Sequence, residues 1–188
     1  MVSDTSLGDN STSVASFDNI YGHYFSYRYG DISHPYTVAK NYSRSIIDLP
    51  NSATLSPLLD TNSKLLDGCE SSDYEGINVT GKVVLTIGKF DRCGSSVRGV
   101  NAKNAGAAAM LIQTVPFGMQ ALAGIDGFPM AAIENKAGDD LLEAYKKNPN
   151  NTFTWNKNET NFLVEGGGAP SGFSSYGLDG DLRSKPDI

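Results

Sequence analysis

The chain has 188 residues, 39% of them hydrophobic, enough for one buried core or one core with appended segments. Its formal charge is −6, spread without acidic or basic blocks, and a chain lacking a basic patch has nothing to attract nucleic acid or an anionic membrane surface. No apolar run of about 18 residues supplies a spanning helix, and the first 15 residues lack the charged and apolar regions of a signal peptide.

Residues 1–13 are too small and polar to pack. Ser13 to Tyr21 alternates weakly and is a strand candidate. His23 to Tyr29 (HYFSYRY) alternates large aromatics and predicts a half-buried strand; Ser45 to Leu49 is a weaker one, stopped by Pro50. Residues 51–78 read as a loop-rich tract anchored by Leu65, Leu66 and Tyr74. Lys82 to Ile87 is a β-branched run between Gly81 and Gly88, the composition of a strand covered on both faces. After Cys93 and Gly94, Ser95 or Ser96 can cap a helix that turns Val97, Val100 and Ala105 inward and stops at Gly106. Ala107 to Ile112 follows as a second buried strand, which makes a strand–helix–strand crossover.

Thr114 to Phe128 is too long for a turn and too apolar for a tail, and predicts a mobile loop folded over the core. Pro129 to Ile133 is a short strand. A helix from about Lys136 to Lys147 carries Ala137, Leu141, Leu142 and Tyr145 on one face and ends before Pro149. Thr152 to Asn156 alternates as a strand with Phe153 and Trp155 on one face, and Phe162 to Glu165 begins another before Gly166 to Gly168, read as a hinge. The expected architecture is α+β: a small sheet or open β-barrel-like sandwich with two flanking helices.

Chemistry is sparse. His23 and His34 are the two histidines, the first in an aromatic strand and the second before Pro35 in a loop, and both read as structural or surface groups. No phosphate-binding, zinc-protease or nucleophile-elbow motif occurs, so no cofactor and no metal site are expected. Asp139–Asp140 sits near a helix N-terminus, Asp179–Asp181 reads as a turn, and Glu70–Asp73 is a third carboxylate pair. Cys69 and Cys93 lie in polar, glycine-containing loops and are not spaced as CxxC. We expect a disulfide, worth roughly 3 kcal/mol for a loop of about 25 residues. The alternative is free thiols, with Cys93 activated beside Arg92 and Arg98. Five sequons, at Asn10, Asn41, Asn78, Asn150 and Asn158, point toward a secretory route.

The segment GKVVLTIGKFDRCGSSVRGVNAKNAGAAAMLIQ, followed by FPMAAIENKAGDDLLEAYKK, resembles the protease-associated (PA) domain. Matching positions are Gly81, Lys82, Cys93, Lys103, Ala105, Gly106, Ala107, Pro129, Ile133, Gly138 and Leu141, and the likeness departs at Gly88-Lys89-Phe90, where an Arg-Gly pair is usual. Phe173 to Ile188 (FSSYGLDGDLRSKPDI) resembles a segment of subtilisin-like serine proteases, with Leu178 where proline is usual. Ser13 to Asn19 resembles a buried strand of the same catalytic domain. The nearest likeness is to secreted fungal subtilases.

The resemblance implies a PA domain (30–165) between two pieces of protease, 1–29 and 166–188. It implies an extracellular setting and, as partners, the rest of a subtilase catalytic domain and protein or peptide substrates. The family's Asp, His and Ser motifs are all missing, so no catalytic residue is assigned and the chain alone is expected to be inactive. The contact candidates are Lys89, Phe90, Arg92 and Arg98 in one loop and Phe117 and Met119 in the other. The alternative function is a stand-alone PA module of receptor type that binds peptides or glycans.

Overall fold

The computed structural model describes residues 15–40, 52–89, 92–114, 122–164 and 167–171, with the pairs 177–178 and 184–185. These divide into two units, Tyr24–Thr160 and the flanks Met1–His23 with Asn161–Ile188. The strand candidate Ser45 to Leu49 lies outside the described residues.

In the larger unit, β1 (Tyr21–Tyr29, entering the unit at Tyr24) and β2 (Ile32–Val38) form an antiparallel hairpin in which Tyr29 faces Ile32 and Ser26 faces Pro35. The hairpin turns at Gly30 and Asp31; Gly30 has φ of 58°, a conformation glycine reaches without strain. Reading His34 and Pro35 as loop residues was therefore wrong: both lie in β2. β3 (Ser52–Pro57) also arises in the tract expected to be loop.

β4 (Val83–Gly88), β5 (Ala109–Thr114) and β6 (Met130–Ile133) are the three apolar runs, and they pair in parallel, with β3 parallel to β4. β7 (Thr152–Leu163) pairs antiparallel with β3. The long strand absorbs Phe162 and Leu163, which therefore do not begin a strand of their own. The result is a mixed seven-stranded sheet in the order β1-β2-β6-β5-β4-β3-β7, closed where β7 meets β1.

Period-two alternation divides the centre of this sheet between two cores. Val83, Leu85, Ala109, Leu111, Ala131 and Ile133 join Tyr27, Tyr29, Phe153 and Trp155 in one cluster. Val84, Met110, Ile112 and Met130 join Leu58, Tyr74 and Phe128 in the other. Each cluster receives one helix. α1 (Ser95–Asn104) sends Ala102 into the second, and α2 (Asn135–Lys147) sends Ala137 and Leu141 into the first. The phase of α1 differs from expectation. Val97 and Val100 are 47% and 43% exposed, while Arg98, Gly99 and Ala102 are buried. A Cβ at Gly99 would run into the Met130 thioether, so the helix lies too close to the sheet for its valines to turn inward.

In the smaller unit the described part of the strand expected from Ser13 to Tyr21 is reduced to one bridge before β1 begins at Tyr21. Phe17 makes a single bridge to Pro170, flanked by Asp18 N–H to Ala169 O at 3.0 Å and Ser171 N–H to Ser16 O at 2.8 Å. Gly167 is packed rather than hinge-like, since a Cβ there would lie 2.6 Å from Asn19 O. β8 (Gly177–Leu178) and β9 (Ser184–Lys185) form a two-residue ladder. Phe17, Ile20, Tyr21 and Leu163 of this unit are large apolar side chains left exposed.

Two consequences can be measured. Gly138 of α2 faces Gln113, which is held by Asn135 and Asp139 through its Nε2 and cannot swing away. Alanine would gain about 1 kcal/mol in helix propensity but overpack this contact at a cost of about 1–3 kcal/mol. Gly138→Ala therefore lowers stability by a net of up to about 2 kcal/mol, read as a lower urea midpoint at unchanged slope.

Tyr27 and Tyr29 donate to Ala137 O at 3.1 Å and Asn148 O at 3.0 Å, tying β1 to α2. Burial raises both phenols above the ordinary value of 10.0, Tyr29 to about 12. A group with a raised folded pKa contributes fully below its unfolded pKa and loses that contribution as pH climbs through the folded one. The thermal midpoint should thus fall from about pH 10 upward, with phenolate absorbance of these tyrosines appearing together with unfolding.

Candidate functional site

The end of β4, the start of α1, the end of β5 and the 122–123 segment enclose a cavity of about 320 Å³. Gly88 and Lys89 come from β4 and its exit, Arg92 to Ser95 and Arg98 from the loop and first turns of α1. Ile112 and Thr114 come from β5, and Leu122 and Ala123 complete the wall. Sequence order forces this meeting, because in parallel strands the segments following β4 and β5 emerge at the same end of the sheet.

The loop is held in two ways. A Cys69–Cys93 disulfide with a Cα–Cα distance of 5.9 Å removes the free-thiol alternative for both residues. The Arg98 guanidinium, 4% exposed, donates to three carbonyls: Asp67 O at 2.8 Å through Nε, Cys93 O through Nη1, and Lys89 O at 2.9 Å through Nη2. Asn101, one turn further along α1, donates to Cys69 O at 2.8 Å and Gly68 O at 3.2 Å. The other side of the cavity is docked by Ser95 Oγ–H to Ala123 O at 2.8 Å and Lys103 Nζ to Asp126 O at 2.8 Å. Burial lowers the Arg98 pKa below that of a free guanidinium, and Asp67 and Tyr74 counter that fall.

Residues 57–141 match the PA domain family. These residues are a PA domain. Two C5a peptidases of Streptococcus pyogenes, from different serotypes, are 41% identical over 91 residues, covering 47% of this chain and 8% and 7% of their own length. BSAP, a zinc aminopeptidase from Bacillus subtilis, superposes with a TM-score of 0.53 at 14% identity, over 80% of this chain and 33% of the enzyme; that likeness shows the fold alone. The chain thus spans less than a tenth of the peptidases it matches in sequence. These relatives are bacterial and lend no support to a fungal affinity.

Of the contact candidates, Lys89, Arg92 and Arg98 come together at the PA-domain cavity. Arg98 occupies a different setting from the one expected, since it lies inside α1 with its nitrogens committed to carbonyls. Phe90, Phe117 and Met119 lie outside the described residues, as do Asn10, Asn41 and the Asp179–Asp181 pair. Asn78, Asn150 and Asn158 are all exposed; Asn150 sits in the turn between α2 and β7 and Asn158 within β7.

The carboxylate pairs have separate duties. Asp139 accepts from Gln113, while Asp140 meets Lys136 Nζ at 2.7 Å and His34 Nε2 at 3.1 Å. Asp73 accepts from the Glu70 N–H at 3.2 Å in a capping box on a single 3₁₀ turn. Among the described residues no group of three or more His, Cys, Asp or Glu is arranged to hold a metal ion.

Sequence reasoning passed over Asn101 and the docking role of Ser95. The spacing Arg98-x-x-Asn101, two polar side chains on one helix face beside two cysteine loops, was the available signal.

Two variants separate the two restraints. Removing the disulfide with Cys69→Ser and Cys93→Ser costs about 3 kcal/mol, and Arg98→Lys, which keeps the charge but loses the planar fork, costs about 1.5–3 kcal/mol. Because both hold one loop, combined losses in urea unfolding should depart from additivity by at least about 0.5 kcal/mol.

Proposed function

We propose that this chain is the PA domain, with flanking catalytic-domain strands, of a secreted subtilisin-like serine endopeptidase. In that enzyme the domain contacts protein substrates and takes no part in bond cleavage. The observation that carries the reading is the basic cavity: the loop expected to make contacts wraps one cavity with Lys89 and Arg92 at its wall. Likeness to the C5a peptidases supports a proteolytic setting. The FSSYG and KPDI segments support a subtilisin-like host, and the exposed Phe17, Ile20, Tyr21 and Leu163 support a flank covered by the remainder of that host. The disulfide and the exposed Asn78, Asn150 and Asn158 suit an oxidising, secretory compartment in which those asparagines carry glycans.

The experiment uses the full-length protein that carries this chain. Lys89→Glu combined with Arg92→Glu should lower kcat/KM on a folded protein substrate about tenfold, the loss of one charge-assisted contact, and leave kcat/KM on a short chromogenic peptide unchanged. Equal values for variant and parent on both substrates would remove the substrate-contacting role.

A further inference from the structure

A strand packed on one face buries every second residue, and β7 does so only at its start, where Phe153 and Trp155 are buried. Every residue from Asn156 to Thr160 is exposed, so neither face of that stretch is covered. Its pairing is also contested, because the Asn158 N–H donates to Asn156 Oδ1 at 3.0 Å, a local bond that competes with the sheet ladder. Backbone with no buried side chain and a contested ladder belongs to the low-stability end of a fold, where local opening exposes it to proteases. In the middle of the stretch stands Lys157, which makes no ion pair among the described residues. Lys103, Lys136 and Lys146 differ. They lie on helices with a buried face, and their ammonium groups are bound to Asp126 O, Asp140 and Ser63 O.

We propose that a glycan on Asn158, in the sequon Asn158-Glu159-Thr160, shields the Lys157–Asn158 peptide bond from proteases that cut after basic residues. The proposal rests on the reading of this chain as secreted, and it gives one of the three exposed sequons a specific duty. Attachment is a transfer. The Asn158 amide nitrogen displaces a lipid pyrophosphate from the anomeric carbon of a lipid-linked oligosaccharide, so that a C–N bond forms as the C–O bond breaks and one amide proton leaves. A protease cleft takes in the residues on both sides of the bond it cuts, and a bulky sugar on the residue just after Lys157 keeps that bond out.

The other two exposed sequons are placed differently. Asn78 precedes the buried Val79 and its Oδ1 accepts the Thr80 N–H at 3.2 Å; the Asn150 N–H donates to Asn148 Oδ1 at 3.2 Å in the turn before β7. Neither follows a basic residue, since Ile77 and Pro149 precede them. The test uses the full-length protein that carries this chain, made in a eukaryotic secretory host. The folded protein is exposed to dilute trypsin, and the cuts are timed and mapped by mass spectrometry.

Thr160→Ala deletes the sequon while keeping both residues of the bond, and it should be cut after Lys157 at least about tenfold faster than the parent. Asn158→Gln should match it, and Asn150→Gln should be cut there at the parental rate. Adding Lys157→Gln to Thr160→Ala should remove the fast cut. The thermal midpoint of Thr160→Ala should equal the parent's, because Thr160 is exposed. An unmodified Asn158 in the parent overturns the proposal, and if Asn78 and Asn150 are bare as well, the secretory reading falls with it. A glycan on Asn158 with equal cutting of parent and Thr160→Ala overturns the shield alone. Faster cutting spread along the chain with a lowered thermal midpoint overturns it too, and makes the glycan a stabiliser of the whole fold. The kinetics of the Lys89 and Arg92 variant stand apart from all of these outcomes.

Discussion

One guanidinium organises the functional end of this domain. Arg98 gathers the carbonyls of Asp67, Lys89 and Cys93, which belong to two loops on either side of β4. A buried charge without such partners would cost several kcal/mol; with three carbonyl dipoles aimed at it, it becomes a template for backbone geometry. The disulfide fixes how far the two loops can separate, and the planar fork fixes how their peptide planes are turned. Shape at the cavity therefore comes from backbone held in place by the helix, while of the side chains at its rim Lys89 makes no ion pair among the described residues and Arg92 meets Asp67 at 3.2 Å.

Behind that end the domain is conventional in its energetics. β4, β5 and β6 are apolar on both faces and bury alternate residues in two clusters, each closed by one helix. Two polar side chains that enter these cores from the end of β5 are paired near the start of α2. Thr114 donates to Ile133 O at 3.0 Å, and Gln113 spans to Asn135 and Asp139 at the start of α2. The rigid centre carries the loops, so variation in the loops need not disturb the core.

The central strands and both helices were legible because each is a run whose length and periodicity admit one interpretation. α2 shows this best, with Ala137 and Leu141 one turn apart and both buried. α1 was placed correctly in the chain but rotated wrongly. Hydrophobicity favoured Val97 and Val100, whereas close approach to Met130 demanded Gly99, and a small residue at a tight crossing carries no apolar signal. β2 was hidden by Pro35, which argues against a strand in isolation, although the Gly30-Asp31 pair between alternating segments marks a hairpin turn. The cavity itself was legible only as two loops. That they enclose one space depends on the parallel pairing of β4 with β5, a long-range fact no local pattern contains.

The closure of the sheet has a further meaning for how such a domain is carried. Counting strand directions through the order β1-β2-β6-β5-β4-β3-β7, β1 and β7 run opposite ways as neighbours. The chain therefore enters the larger unit and leaves it at the same end of two adjacent strands. A polypeptide that accepts this unit between two of its own residues has to open a gap only about one strand spacing wide, near 5 Å. The geometry is that of a cassette: a self-contained fold whose two attachment points are so close that a host chain can gain or lose it without re-routing its own backbone.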